Sequence, residues 1–213
     1  MQIGNFYFNG GAYDLDIAEK GFKKALEIDS KILWGHYQMA RVYFVKGERA
    51  RALDEINKEF EAVPQNFRAY YVRALIHAYD KNFSESEMDF RSFLVWAPKE
   101  WAGYNDLAWV LAEQKKYKKA KEVLETAFRE VQQANQNPWL WNSLGVTQLN
   151  LKEYGSAVTS FNRAQKYASK LTLMEWARAY PGNNPNELES GLAVFRAAIN
   201  ENLERAVDNS SGI

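Results

Sequence analysis

Small residues return at a fixed interval along this chain, and the interval limits the folds open to it. The steps from Ala52 to Ser86 and from Ser86 to Ala120 are 34 residues each, and the same column continues to Ala18 on one side and Ala157 on the other. A second column of small residues runs Gly4, Ala40, Ala74, Ala108 and Gly145, and a third, large and apolar, runs Phe22, Ile56, Phe90, Leu124 and Phe161. Pro64 and Pro98 punctuate the chain at the same spacing of 34. Independent columns in one register mark a repeat of about 34 residues, each a supersecondary unit that buries its apolar face only against its neighbours. The small residues have a steric reason: two antiparallel helices cross closely where Gly or Ala lets the backbones approach, and a large ring fills the space beside them.

The stretch from Trp139 to Ala164 shows the unit most plainly. Trp141, Leu144 and Gly145 share a face of a first helix, a polar turn follows, and Tyr154, Ala157, Phe161 and Ala164 share a face of a second. This pattern, an aromatic before Leu-Gly and later Ala and Phe at helical spacing, resembles the signature of the tetratricopeptide repeat family. The resemblance covers about residues 2–169. It implies an all-α fold, a right-handed superhelical solenoid of antiparallel helix pairs, and a role in binding proteins or peptides along the first helices.

Taken in order, residues 1–30 read as a partial first repeat, in which Ile3, Gly4 and Tyr7 match the middle of a first helix, Gly10-Gly11 breaks it, and Tyr13, Ala18, Phe22 and Ala25 form its partner. Residues 31–169 hold four further repeats, at about 32–65, 66–99, 100–133 and 137–169, with three inserted residues near Ala134–Gln136 shifting the register. Residues 170–207 read as capping helices. Leu173, Trp176, Ala177 and Tyr180 suggest a short helix stopped by Pro181-Gly182-Asn183-Asn184-Pro185, after which Asn186 and Glu189 read as N-cap and capping box. Leu188, Leu192, Phe195, Ile199 and Leu203 then form the stripe of a last helix that seals the open end of the array. The polar tail 208–213 is expected to fray. Because the turn and aromatic that should precede Ile3 are missing, the spacing also predicts that the natural sequence extends before Met1.

Composition narrows the function. With 213 residues, 46% of them hydrophobic, and a formal charge of zero, the chain can bury a core but carries no bulk attraction for nucleic acid or anionic membrane. It has no cysteine, so disulfides, thiolate metal sites and a cysteine nucleophile are absent. No apolar run approaches the roughly 18 residues of a spanning helix, and nothing resembles a signal peptide; the chain reads as soluble, whether cytoplasmic or the soluble part of a membrane-anchored protein. His36 and His77 sit at aromatic columns without metal-ligand spacing, and Gly10-Gly11 lacks the Lys of a phosphate loop. No catalytic constellation, metal site or cofactor is expected, and the chain is read as a non-enzyme. The basic run Lys115, Lys116, Lys118, Lys119 and Lys121 reads as a solvated face, diluted by Glu113 and Glu122.

Departures from the repeat pattern are Glu59, where the second helix takes Ala, and Arg73, His77 and Phe93 in the next repeat. A lone charge at a packed crossing is costly unless paired, so Glu59 and Arg73, on successive helices, are expected to pair.

Once the core columns are removed, the surface of the first helices carries Trp34, Tyr37, Arg41 and Phe44, then Arg68, Tyr71, Leu75 and Tyr79, then Asn105, Trp109, Trp139 and Asn142. In this family that surface lines the binding groove. Rings supply desolvated area, amides reach a peptide backbone and Arg takes a carboxylate. The Lys-Asn pair of the family's two-carboxylate clamp is absent, while Asn105 and Asn142, on consecutive repeats, resemble two rungs of the asparagine ladders by which some relatives hold an extended peptide backbone. The expectation is a protein-interaction scaffold whose partner is a peptide or protein segment. A self-assembling homo-oligomer, or an accessory region of a longer membrane-anchored or enzymatic protein, are the alternatives.

Overall fold

The computed structural model describes residues 1–9, 13–179 and 184–211, and these residues are helical without a strand. Ten helices form five antiparallel pairs: α1 Gln2–Asn9 with α2 Leu15–Ile28, α3 Gly35–Val45 with α4 Arg49–Ala62, α5 Phe67–Tyr79 with α6 Phe83–Trp96, α7 Trp101–Glu113 with α8 Tyr117–Glu130, and α9 Pro138–Asn150 with α10 Tyr154–Ala168. A short α11, Leu173–Ala179, and a long α12, Leu188–Ser211, follow.

One turn, used four times, makes the pairs antiparallel. After α3, the Gly47 N–H donates to the Phe44 carbonyl at 3.0 Å and the Glu48 N–H to the Tyr43 carbonyl at 2.8 Å. These are the two bonds of a Schellman ending, which places the residue past the helix in the left-handed region. The same pair of bonds follows α5, α7 and α9. Gly47 has φ +78°, yet the equivalent residues are Lys81 (62°), Lys115 (58°) and Lys152 (63°). Lys115, at the heart of the basic run, thus serves a turn, and Lys121 of the same run pairs with Glu153 at 2.6 Å.

The helices fall into two compact units, one of residues 1–89 and 177–188, the other of 90–176 and 189 onward. In the first, Phe22, Ala40, Ile56, Val72 and Ile76 lie in one buried cluster with Phe8, Met39 and Tyr43. Gly4 is pressed on Phe22, where an added Cβ would stand 2.5 Å from the ring. In the second unit, Leu107, Leu111, Leu124, Leu140 and Phe161 are fully buried, and Gly145 faces Phe161 as Gly4 faces Phe22. The three residues that shift the register form a 3-10 turn, Ala134–Gln136, entered through Gln133 at φ 60°. Asn137 then caps α9 by accepting from the Leu140 N–H at 3.0 Å.

One expectation about the C-terminal segment is corrected. Asn184, not Asn186, is the capping residue: its side chain accepts from the Asn186 N–H at 3.0 Å and starts a 3-10 turn, Pro185–Glu187, that leads into α12. The residues from 208 to 211 remain helical, because Asn209 donates to the Arg205 carbonyl and Ser210 to the Val207 carbonyl, tying the last turns back on themselves. The breaks expected at Gly10-Gly11 and at Pro181–Asn183, with Tyr180 and the last two residues, lie outside the described residues. Within the second unit, α12 buries Leu192, Ile199 and Ala206. Its Arg196 guanidinium donates to the carbonyls of Ala168, Ser169 and Leu171, at 3.0, 3.4 and 2.9 Å. Those carbonyls lie at and just beyond the end of α10, where a cation meets both the hydrogen-bond and the dipole requirement of a helix C-terminus. No helix among the described residues is long and apolar enough to cross a membrane.

Candidate protein-interaction surface

The expected Glu59–Arg73 pair does not form, and the reason organises the first unit. Arg73 instead makes a two-pronged ion pair with Asp89 of α6, Nε to Oδ2 at 2.8 Å and Nη2 to Oδ1 at 2.7 Å, while its guanidinium lies 4.6 Å from the Phe60 ring centre. Glu59, fully buried, accepts from the Tyr37 N–H at 2.9 Å through Oε2 and from the Asn66 amide at 2.7 Å through Oε1. Asn66 in turn caps α5, its Oδ1 accepting from the Arg68 N–H at 3.2 Å. One carboxylate therefore holds the first turns of two neighbouring helices. It does for α3 what the residue at the cap position, Trp34, has no side-chain oxygen to do.

Trp34 itself sits at φ 64°, a conformation rare for a bulky residue, and the residue is 43% exposed. Its backbone is fixed on both sides, by the Gly35 N–H to the Ile32 carbonyl at 2.9 Å and the Gln38 N–H to its own carbonyl at 3.0 Å. The Arg68 guanidinium lies 5.9 Å from the Trp34 ring and 5.8 Å from that of Phe67. Further along the same two helices, Phe44 and Tyr79 meet edge to face at 5.4 Å, and Tyr79 is 59% exposed. Tyr37, Tyr71 and Leu75 are half-buried between these ends. Arg41 lies between the rings of Phe8 at 4.7 Å and Tyr37 at 5.7 Å. Burial holds its guanidinium below the ordinary value; Tyr37 opposes that shift and Arg68 adds to it. The structure thus brings together Trp34, Tyr37, Arg41, Phe44, Arg68, Tyr71, Leu75 and Tyr79 on the adjoining α3 and α5. Sequence reasoning missed the polar chain beneath them, Asn5 to Gln38 to Arg41, with bonds of 3.1 and 2.8 Å; the spacing of Gln38 and Arg41, three apart on a helix, was its only signal.

In the second unit the expected residues divide. Trp109 remains partly open at 37% exposure, whereas Trp139 is 8% exposed. The Trp139 ring is stacked by Trp101 at 4.9 Å, by Trp176 of α11 at 5.9 Å and by Phe195 of α12 at 5.5 Å. It anchors the C-terminal helices instead of lining an open face, because those helices bring their own rings to it. Asn105 accepts from the Ser143 hydroxyl at 2.7 Å and donates to Asp106 at 3.0 Å; Asn142 keeps a buried Oδ1 without a hydrogen-bond partner. The histidines are bonded or packed within their helix pairs: His36 Nδ1 is 2.6 Å from Glu55 and His77 Nε2 is 4.0 Å from Asp89. Among the described residues no group of histidine and acidic side chains is disposed to hold a metal ion.

The family model of the tetratricopeptide repeat matches residues 102–130 and 140–171. No curated protein matches by sequence. Solved structures match by fold. PilW, described as a widely conserved type IV pilus biogenesis factor, has a TM-score of 0.71 at 16% identity, over 99% of this chain and 89% of its own. Pseudomonas aeruginosa PilF has a TM-score of 0.68 at 20% identity, over 96% and 88%. YrrB, described as a TPR protein with an unusual peptide-binding site, has a TM-score of 0.61 at 18% identity, over 90% and 93%.

Proposed function

We propose that this chain, which carries tetratricopeptide repeats and has the fold of the proteins built from them, is a protein-interaction scaffold that takes a peptide segment along α3 and α5. The observation that supports this reading is the pair of fixed, exposed rings at the two ends of that face. Trp34 is held in a strained conformation at one end and Tyr79 stands open at the other, with half-buried Tyr37 and Tyr71 between. Trp34 holds its exposed side chain on a backbone conformation rare for a bulky residue, and residues held in such conformations cluster at binding sites. Rigid rings give contact area at little entropic cost. YrrB, a neighbour by fold, is described as having a peptide-binding site, which makes this use of the fold a reasonable one.

The candidate residues are Trp34, Tyr37, Arg41, Phe44, Arg68, Tyr71, Leu75 and Tyr79, with Trp109, Asn105 and Asn142 of the second unit as further candidates. Trp139 is left out of the set because its ring is already covered. The test is a selection of binding peptides on the intact protein, followed by affinity measurement with Trp34→Ala combined with Tyr71→Ala. The double variant should bind at least about tenfold more weakly with unchanged far-ultraviolet circular dichroism. Equal affinity would move the site elsewhere. If the same substitutions instead abolish concentration-dependent growth in light scattering, the face serves self-assembly.

A further inference from the structure

We propose that the peptide taken by the α3–α5 face carries an acidic side chain, seated against Arg68 beside the Trp34 ring; this rests on the reading of that face as a peptide site. Three observations lead there.

First, Arg68 occupies the first turn of α5, one residue after Phe67 opens the helix. The positive end of the helix dipole disfavours a cation in that position, and an acidic residue is the usual occupant. No carboxylate of the described residues offsets that cost, and the ring faces beside Arg68 return only part of it. Second, the Arg68 side chain is exposed, and its contacts are ring faces, Trp34 and Phe67; no carboxylate of the described residues pairs with it. The acid that organises this region, Glu59, is buried and spends both oxygens on the Tyr37 N–H and the Asn66 amide. Third, the surrounding surface adds positive character without adding negative. Arg41 lies on the same face, near enough to Arg68 for the Arg68 charge to help hold the Arg41 guanidinium below its ordinary value, and none of the eight residues that make up the face is acidic.

The Arg68 guanidinium, 5.9 Å from the Trp34 ring centre, carries the planar fork of donors that a carboxylate accepts with two hydrogen bonds. The α5 N-terminus, unfavourable to Arg68 alone, becomes less so once an anion arrives, because the helix dipole and the guanidinium then act on the same charge. The occupant that relieves this local conflict is an aspartate or glutamate within an otherwise apolar segment, its neighbours packed on Trp34 and Tyr71.

The experiment is a selection from random synthetic peptide libraries, one with free and one with amidated C-termini, on wild type, Arg68→Gln and Arg68→Glu. Arg68 is exposed, so the variants should fold, and circular dichroism checks that they do. Asp or Glu should be enriched by wild type from both libraries. Replacing that residue by its amide should weaken binding about tenfold, as expected for loss of one charge-assisted, two-pronged bond. The penalty should vanish in Arg68→Gln, and Arg68→Glu should select Lys or Arg instead. A consensus that needs Trp34 and Tyr71 but is indifferent to the acid overturns this inference and leaves the peptide site standing. Acid preference that persists unchanged in Arg68→Gln also overturns it. Enrichment confined to free C-termini assigns the anion to the chain terminus and overturns the side-chain assignment. No enrichment, or binding unaffected by loss of Trp34 and Tyr71, sinks both readings.

Discussion

Gly145 and Phe161 allow the packing logic of the repeat to be measured. A Cβ added at Gly145 would lie 2.6 Å from Cε1, 2.7 Å from Cδ1 and 2.8 Å from Cζ of Phe161. That ring is fully buried and has nowhere to move. Overpacking of this kind costs about 1–3 kcal/mol, while replacing a mid-helix Gly with Ala returns about 1 kcal/mol of helix propensity. Gly145→Ala alone should therefore lose up to about 2 kcal/mol. Phe161→Leu alone should lose about 1–2 kcal/mol through the space it leaves. The preceding repeat solves the same crossing with Ala108 and Leu124 in the two columns, both buried. The double variant copies that solution, so the new methyl should occupy the space vacated by the ring. Its loss should fall short of the sum of the single losses by about 1–2 kcal/mol, a coupling expected only of residues in direct contact. Urea unfolding followed by far-ultraviolet circular dichroism, compared at equal m-values, reads the cycle. Additivity within about 0.5 kcal/mol, or a Gly145→Ala variant more stable than wild type, would refute the account of why these columns hold the residues they do.

Glu59→Ala should cost about 1–3 kcal/mol by leaving the Tyr37 N–H and the buried Asn66 amide without an acceptor, and Glu59→Gln should recover part of it. A melting temperature for Glu59→Ala equal to wild type would remove Glu59 from its organising role. At the turns, Lys81→Gly, Lys115→Gly and Lys152→Gly should each add about 0.5–1 kcal/mol by relieving a left-handed residue that carries a side chain, with Gly47→Lys moving stability the other way. Losses at all three lysines on thermal melting would contradict this.

The helix pairs could be read from the sequence because close backbone approach imposes small residues at fixed spacing, and steric demand of that kind leaves its mark in one dimension. The place of the inserted residues was also legible, since three extra positions displace every later column. Charge partners were not. Glu59 and Arg73 were expected to meet because their helices are neighbours in the chain, but the choice among nearby partners depends on which groups are already committed. Asn66 and the Tyr37 N–H lay within reach of Glu59, and Asp89 offered Arg73 two oxygens. A backbone N–H has no letter in the sequence, so a carboxylate recruited to a helix start from another helix leaves little trace there. Trp139 failed as a surface residue for a related reason. Its position in the repeat is an open one, and Trp101 on one side with Trp176 and Phe195 from the C-terminal helices closes it. The apolar stripe of α12 announced that it would cover something, without saying which ring.

The aromatic stack around Trp139 also decides what light can report. Three of the chain's seven tryptophans, Trp101, Trp139 and Trp176, join Phe195 with neighbouring ring centres closer than 6 Å. Indoles that near couple their electronic transitions, so the near-ultraviolet circular dichroism of the protein is weighted toward the docking of α11 and α12 on α9. Trp34 belongs to the other unit and its emission responds to whatever settles on Arg68. A partner that occupies the α3–α5 face should alter fluorescence and leave the indole couplet as it was, while detachment of the C-terminal helices should erase the couplet first. Two optical signals from one residue type therefore distinguish ligand capture from loss of the terminal seal.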